Sequence, residues 1–283
     1  MNILLQGASV WRRKPLSVAA ILALSTLLVI GVRSAVSTES GLLFTDTFNR
    51  GSFRPYDGGA GWNQTQFTRR SRGRIVASPT RSGAGAARFN LRYPNKRAEK
   101  NKFIAGKPGT ERWFGFSIYI PRTWRDHKNF TIVAQLKGSP DQGEPYRSPF
   151  LPLEIRNGVW TLFNRWDPTP ISRPRADGNR GTIRSAKIYE APYTKGKWTD
   201  WVIHAKWSYQ QDGLLEIWKD GVKVVHKTGP NCYNDVDHGF HFKIGMYKPG
   251  YRANHPSPLV VYHDEVRIGN RHASYARVAP GRN

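Results

Sequence analysis

Three short segments set chemically capable side chains two residues apart. Arg97 and Glu99 lie in KRAEKNKF, Gln135 and Lys137 in AQLKG, and Lys243, Gly245 and Tyr247 in FKIGMY. A spacing of two puts side chains on one face of a strand. The first pair joins a guanidinium to a carboxylate that can hold it bidentately and aim it. The second sets an amide beside an ammonium, on the face opposite Ile132, Ala134 and Leu136. The third alternates with Phe242, Ile244 and Met246, so one face is apolar and the other presents an ammonium, a bare patch and a phenol. A glycine within a strand leaves room for a ligand or another backbone. Cations beside a phenol favour its ionised form, which makes Tyr247 the candidate acid or base. Taken singly, each segment also fits an ordinary outer strand face or a surface ion pair.

The elements that must carry these residues read as strands. From about residue 41 no long stretch shows a helical period. Short apolar or alternating runs recur at 113–120, 130–136, 151–155, 159–163, 201–207, 214–218, 222–226, 240–247 and 259–268. They are rich in β-branched and aromatic residues and bounded by Gly, Pro, Asn and Asp, which is strand punctuation. Asp220-Gly221 between two runs is a hairpin signal. The pattern predicts an all-β antiparallel sandwich of jelly-roll type, as one domain over 36–283. The stretch 167–187, rich in Pro, Arg and Gly, is expected to be a long loop. The tail from Arg271 has no clear pattern.

Residues 1–35 read as a signal peptide or signal anchor. Arg12, Arg13 and Lys14 precede the uncharged apolar run Val18–Val32, which is shorter than the roughly 20 residues that span a bilayer comfortably. The expectation is export, to the periplasm, the cell envelope or the medium, with membrane contact only through an uncleaved anchor. The whole chain has 283 residues with 44 Lys+Arg against 20 Asp+Glu, a net charge of +24. Removing 1–35 takes away Arg12, Arg13, Lys14 and Arg33 and no acid, so 40 basic against 20 acidic side chains, or +20, remain. That charge calls for an anionic partner. One Cys excludes an internal disulfide framework and a multi-thiolate zinc site; Cys232 is expected to be a free, buried thiol. No basic helix or nucleic-acid module is present, and the cations are spread along the chain, so nucleic acid is not the expected partner.

Together and in this order, RAE (97–99), QLK (135–137) and FKIGMY (242–247) resemble the three signature strands of the β-jelly-roll polysaccharide lyases. These include the alginate lyases, with RxE, QxH and YFKxGxY motifs, and the heparin lyase I and glucuronan lyase families. GTERWFGFSIYIP (109–121), WTDWVIHAKWS (198–208), DGLLEIWKDG (212–221) and YHDEVRIG (262–269) resemble the framework of the heparin-lyase-I-like group. The resemblance spans about residues 41–270. It implies a concanavalin-A-like jelly roll and β-elimination on a uronic-acid polysaccharide, with no required cofactor. Gln135 and Arg97 would then neutralise the substrate carboxylate, with Lys137 and Lys243 adding positive charge where negative charge develops. Tyr247 would take the C5 proton, serve the leaving oxygen, or do both. Two positions depart from the alginate-lyase pattern. Lys137 stands in place of the His of QxH. His241 stands in place of the first Tyr, and it is assigned to the side of its strand away from Lys243 and Tyr247.

Further sugar or carboxylate contacts are expected from Glu99, Arg156, Trp160, Asn164, Lys248 and Tyr251, with Glu154 beside Arg156 at the same groove. Asp46, Asp264 and Glu265 are candidate oxygen ligands for a structural calcium ion. The expected partner is an anionic polysaccharide and the expected state a monomer. A non-catalytic, lectin-like binder of acidic glycans is the alternative function. Glycoside hydrolysis would need two carboxylates flanking one bond, and no motif pairs Glu154 with Asp264 in that way.

Overall fold

The computed structural model describes residues 41–53, 61–172 and 182–281. The expected signal segment 1–35 lies outside these residues, as does the centre of the expected 167–187 loop. In chain order the strands are β1 (Leu42–Asp46), β2 (Gln64–Gln66), β3 (Arg72–Val76), β4 (Ala86–Leu91) and β5 (Arg97–Lys102). There follow β6 (Glu111–Tyr119), β7 (Thr131–Gly138), β8 (Leu151–Arg156), β9 (Val159–Trp166) and β10 (Arg184–Pro192). The last are β11 (Trp198–Lys206), β12 (Leu214–Lys219), β13 (Val222–Thr228), β14 (Phe240–Tyr247) and β15 (Leu259–Gly269), before a single helical turn, α1 (Tyr275–Val278).

Two antiparallel sheets face one another, the jelly-roll sandwich that the strand pattern predicts. One runs β13-β12-β11-β6-β15-β4-β3, with β1 also on β15, and the other runs β10-β9-β8-β7-β14-β5-β2. Alternation explains the layering. Phe114, Phe116 and Ile118 of β6, Trp201 and Ile203 of β11, and Phe242 and Ile244 of β14 point inward and are buried. Phe242 packs on Phe114 and Phe116 with ring centroids 5.4 and 5.3 Å apart. Each such side chain contributes about 1.5–3 kcal/mol by leaving water. Asp220 (φ 49°) and Gly221 (φ 85°) close the β12–β13 hairpin, both in the left-handed region that a two-residue primed turn requires. Cys232 is free and buried.

Three features differ from the sequence expectation. The stretch expected as loop to 187 becomes strand at Arg184, paired to β9 at the sheet edge and held by Ile188 and Tyr189 packing on the core; Arg184, Ser185 and Lys187 give its start no apolar alternation. The tail folds α1 onto the outer face of the first sheet, where Gly115 leaves room for the carbonyl of Val278. The register of β7 slips between Ile132 and Ala134. Val133 and Ala134 are both buried in the core, so Ile132 moves onto the face that carries Gln135.

Candidate active site

The second sheet places β5, β14 and β7 side by side, and each carries one of the three motifs. Tyr247 is directly opposite Arg97 on β5 and Ile132 on β7; Lys243 is opposite Gln135, and Gly245 opposite Glu99. The motif residues therefore share one sheet face. Arg97, Gln135, Lys137, Lys243 and Tyr247 all line a single groove of about 340 Å³. The Arg97 guanidinium lies 4.4 Å from the Tyr247 ring centre.

Glu99 is not a bidentate clamp for Arg97. It is buried, its nearest approach to Arg97 is 3.9 Å, and its Oε1 instead accepts a short hydrogen bond from the Gln135 amide. The two residues meet across β14 beside Gly245. The carboxylate thus orients the amide, rather than touching a substrate as expected. Gln66 of β2, which the sequence did not single out, accepts from Lys243 Nζ at 3.0 Å and from Arg97 Nη1 at 3.4 Å. It holds two cations of like sign side by side.

Gly245 has φ 117°, and a Cβ there would run into the carbonyl oxygen of Ala98 and the Phe89 ring. Only glycine suits this site. The pairing of β14 with β7 slips between Ile244 and Tyr247, a bulge that re-aims the phenol. The Gly245 N–H donates instead to Nε2 of His263 at 3.2 Å. His263 sits on β15 of the opposite sheet and is fully buried. Burial pulls its pKa down to about 3, so it stays neutral and can accept. A histidine from the far layer therefore props the bulge that carries the candidate acid/base strand. It lies within YHDEVRIG, but nothing in the segment marks its direction.

Burial shifts four charged groups in and beside the groove, Glu99, Lys243, Lys137 and Glu154, toward neutrality. It raises Glu99, an effect opposed by Lys243, Arg97 and the Gln135 hydrogen bond. It lowers Lys243, where Glu99 pushes back while Arg97 and Lys137 add to the drop. It lowers Lys137 too, helped by Arg97 and opposed by Glu99. Such displaced groups gathered in one cleft mark a functional site. At the β8 side, Glu154 lines the groove and burial raises it to about 7, with Arg165 and Arg156 opposing. Arg156 stands 3.6 Å from Glu154 with its side chain half exposed.

The groove also holds residues that the sequence reading missed. Tyr146 stands 88% exposed at the rim, its ring 5.3 Å from Lys137 Nζ. Arg147 is buried and bonded to Glu144, Asp235 and Asn234. Its long-range partners, Asn234 and Asp235, give no local sequence signal.

Other expectations are corrected. Trp160 is fully buried, edge-on to Trp201 and Tyr193 at 5.5 and 5.6 Å, so it is core. Asn164 is buried and donates to the carbonyls of Phe150 and Asn231. Lys248 is buried, its Nζ spent on Asn129 O at 2.7 Å and on Thr131, and burial lowers it to about 8. Tyr251 is buried and bonds Pro256 O. None of these four lines the groove. His241 does not face away from Lys243. Their odd numbers place them on one side, where His241 bonds Asn101 and Ser139 and burial takes it down to about 4.

The expected calcium ligands are engaged elsewhere. Asp46 accepts from Phe48 N and Trp62 Nε1. Asp264 accepts from the backbone of Arg81 and Glu265, and Glu265 bonds Ser82 and Arg267. Among the described residues no three His, Cys, Asp or Glu side chains gather to hold a metal ion.

Comparison with known proteins matches residues 48–267 to the family model described as Polysaccharide lyase. No curated protein matches the chain. Among solved structures, an endo-β-1,4-glucuronan lyase from the fungus Trichoderma reesei is similar with TM-score 0.67 and 21% identity, covering 79% of this chain and 95% of that one. A cellulose induced protein, Cip1, gives 0.50 and 9%, covering 80% and 96%. The alginate lyase Aly36B gives 0.49 and 14%, covering 82% and 98%. At these identities the likeness is one of fold.

Proposed function

The chain belongs to the polysaccharide lyase family, and from that premise we propose that it cleaves a uronic-acid polysaccharide by β-elimination in the groove of the second sheet. The observation that carries the reading is the convergence of Arg97, Gln135, Lys137, Lys243 and Tyr247, from three adjacent strands, on one groove.

The chemistry breaks the C4–O bond of a uronate after loss of the proton at C5. Negative charge develops on the carboxylate as that proton leaves. The Gln135 amide, steadied by Glu99, and the Arg97 guanidinium are placed to bond the carboxylate. Lys243 and Lys137 add positive charge in a cleft where water screens it poorly. Tyr247, on the bulged strand, takes the proton or supplies one to the leaving oxygen. The products are a shortened chain and an oligomer whose new end carries a C4=C5 double bond.

The partner is an anionic polysaccharide, and a glucuronic-acid polymer leads the candidates because the T. reesei glucuronan lyase has the highest TM-score given above. Export rests on the composition of residues 1–35, and a shortened N-terminus on protein recovered outside the cytoplasm would support it.

The test is incubation with polyglucuronate, alginate and heparin, followed by ultraviolet absorbance of the unsaturated uronide. A signal from at least one polymer is expected. Tyr247→Phe should lower kcat by about 10²–10⁴-fold, the usual worth of general acid–base catalysis, while polymer binding persists. Retention on polymer with no product from any of them would instead favour a lectin-like binder. Full activity in Tyr247→Phe would overturn the role of the phenol.

A further inference from the structure

The outer face of the first sheet, on the far side of the sandwich from the groove, is divided. Around Trp113, Val202 and Trp218 it is covered by the C-terminal segment through Val278 and Tyr275. Further along the strands it is open, and one cross-strand row stands out. Arg74 of β3 pairs with Arg88 of β4, Arg88 with Tyr262 of β15, Tyr262 with Tyr119 of β6, and Tyr119 with Trp198 of β11. Their chain neighbours Phe89, Val261 and Ile118 are buried, so alternation turns all five outward. The Tyr119 ring lies 5.6 Å from that of Tyr262 and 5.5 Å from that of Trp198. Five side chains thus form one line across five strands, roughly 19 Å long at the usual strand spacing.

The row is unbalanced in charge. Arg74 and Arg88 stand directly opposite one another, an arrangement that costs stability. Among the described residues neither side chain makes an ion pair or a hydrogen bond. The carboxylates nearby along the strands are occupied: Asp200 by Arg81 and Ser117, Asp264 by backbone N–H groups. Arg74 is exposed, and Arg88, Tyr262, Tyr119 and Trp198 are partly so.

We propose that this row is a second binding site for an acidic polysaccharide, separate from the groove. The arginines meet carboxylates, and the rings offer flat apolar faces to sugar C–H groups. A narrow line, two arginines followed by three rings, suits an extended polyanion; a lipid surface or a globular partner would be met by a broader patch. The identity of the polymer rests on the function proposed for the groove. Held here, one stretch of polymer keeps the enzyme on its substrate while another occupies the groove.

The test uses long polyglucuronate and a glucuronic-acid tetrasaccharide. Arg74→Glu with Arg88→Glu should weaken retention in a polyglucuronate affinity gel about tenfold and flatten its salt dependence. The KM on polymer should rise in step, with kcat and tetrasaccharide cleavage unchanged. Trp198→Ala should weaken retention and leave the salt dependence intact. Arg271→Glu with Arg277→Glu makes the same change in net charge at the C-terminal segment and should have the smaller effect. Thermal unfolding checks that each variant is folded. Equal losses in the two double variants, or unchanged retention when the row is reversed, would overturn the site. So would loss of binding to phosphatidylserine vesicles with polyglucuronate retention intact. If the parent protein is retained but cuts no polymer, the lyase reading of this groove fails while the row is still tested by retention.

Discussion

The same side-chain types occur in two settings in this molecule. In the groove, Glu99, Gln135 and Lys243 are buried, and each finds its partner on another strand. On the outer face at β12–β13, Lys223 pairs with Glu216 and Lys219 with Asp220, in partly exposed, local contacts. Burial raises Glu99 and lowers Lys243. Burial also pushes Glu216 upward, but hydrogen bonds from Lys223, His204 and His226 outweigh it and hold the group at about 2. The difference teaches that burial, not residue type, decides what a charge does here. A solvated pair is worth little, whereas a desolvated cluster is costly to assemble and therefore marks a site with a use.

The largest expected effect tests the interior support of the groove. The folded chain keeps His263 neutral down to about pH 3, whereas the unfolded chain protonates it near the ordinary 6.5. Between those values the unfolded state binds more protons, so this contribution is whole above pH 6.5 and is lost as pH falls. His263→Gln keeps an acceptor for the Gly245 N–H but cannot titrate. Between pH 7.5 and 4 the wild type should lose about 3 kcal/mol relative to this variant, read by urea unfolding at each pH. A constant gap would mean that the histidine is not held neutral.

Next comes the buried cluster. Lys243→Met leaves Glu99 without its strongest neighbouring cation. Loss of one partner from a buried pair should cost about 2–3 kcal/mol, somewhat less than the usual figure because the raised carboxyl can take up a proton. Adding Glu99→Gln should return most of that stability without returning activity. If the single change costs nothing, the contrast with the outer face breaks down.

Much of this arrangement was legible in the sequence, and the failures have physical causes. The three motif strands, the sandwich and the groove face all follow from period-two alternation. The groove position of Ile132 did not, because a bulge at Val133 shifts the alternation by one residue. Trp160, Asn164, Lys248 and Tyr251 carry groove-like chemistry, yet the core and the loops claim them. Gln66, Tyr146 and His263 were invisible as site residues, since a three-residue strand, a loop and the opposite sheet bring them in. β3 and β4 were missed because outward Arg72, Arg74, Arg88 and Asn90 dilute their apolar pattern.

Glu154 sharpens the comparison from the β8 side of the groove. Its carboxyl is raised to about 7 against about 4.3 when unfolded. The folded state therefore holds the proton more tightly, and the contribution is whole below about pH 4 and lost as pH rises through 7. Glu154→Gln should nearly match the wild type near pH 4.5 and be more stable at pH 6 by about 2 kcal/mol. Thermal unfolding at the two pH values checks this. Equal stability at pH 6 would show the carboxylate to be well solvated in the groove.

The smallest effect belongs to the outer face. Lys223 reaches Glu216 at 2.5 Å, the shorter of the ion pairs named above for this face, yet its side chain is 44% exposed. Distance alone would rank this pair above the coupling of buried Lys243 to Glu99, two residues that among the described residues make no direct ion pair. Exposure reverses the ranking, because water screens the attraction and ordering the lysine side chain costs entropy. Glu216 also keeps His204 and His226 as hydrogen-bond partners when Lys223 is gone. Lys223→Ala should therefore shift stability by at most about 0.5 kcal/mol, and by less at high salt. A loss as large as that of Lys243→Met, measured under the same conditions, would mean that contact distance rather than burial governs these charges.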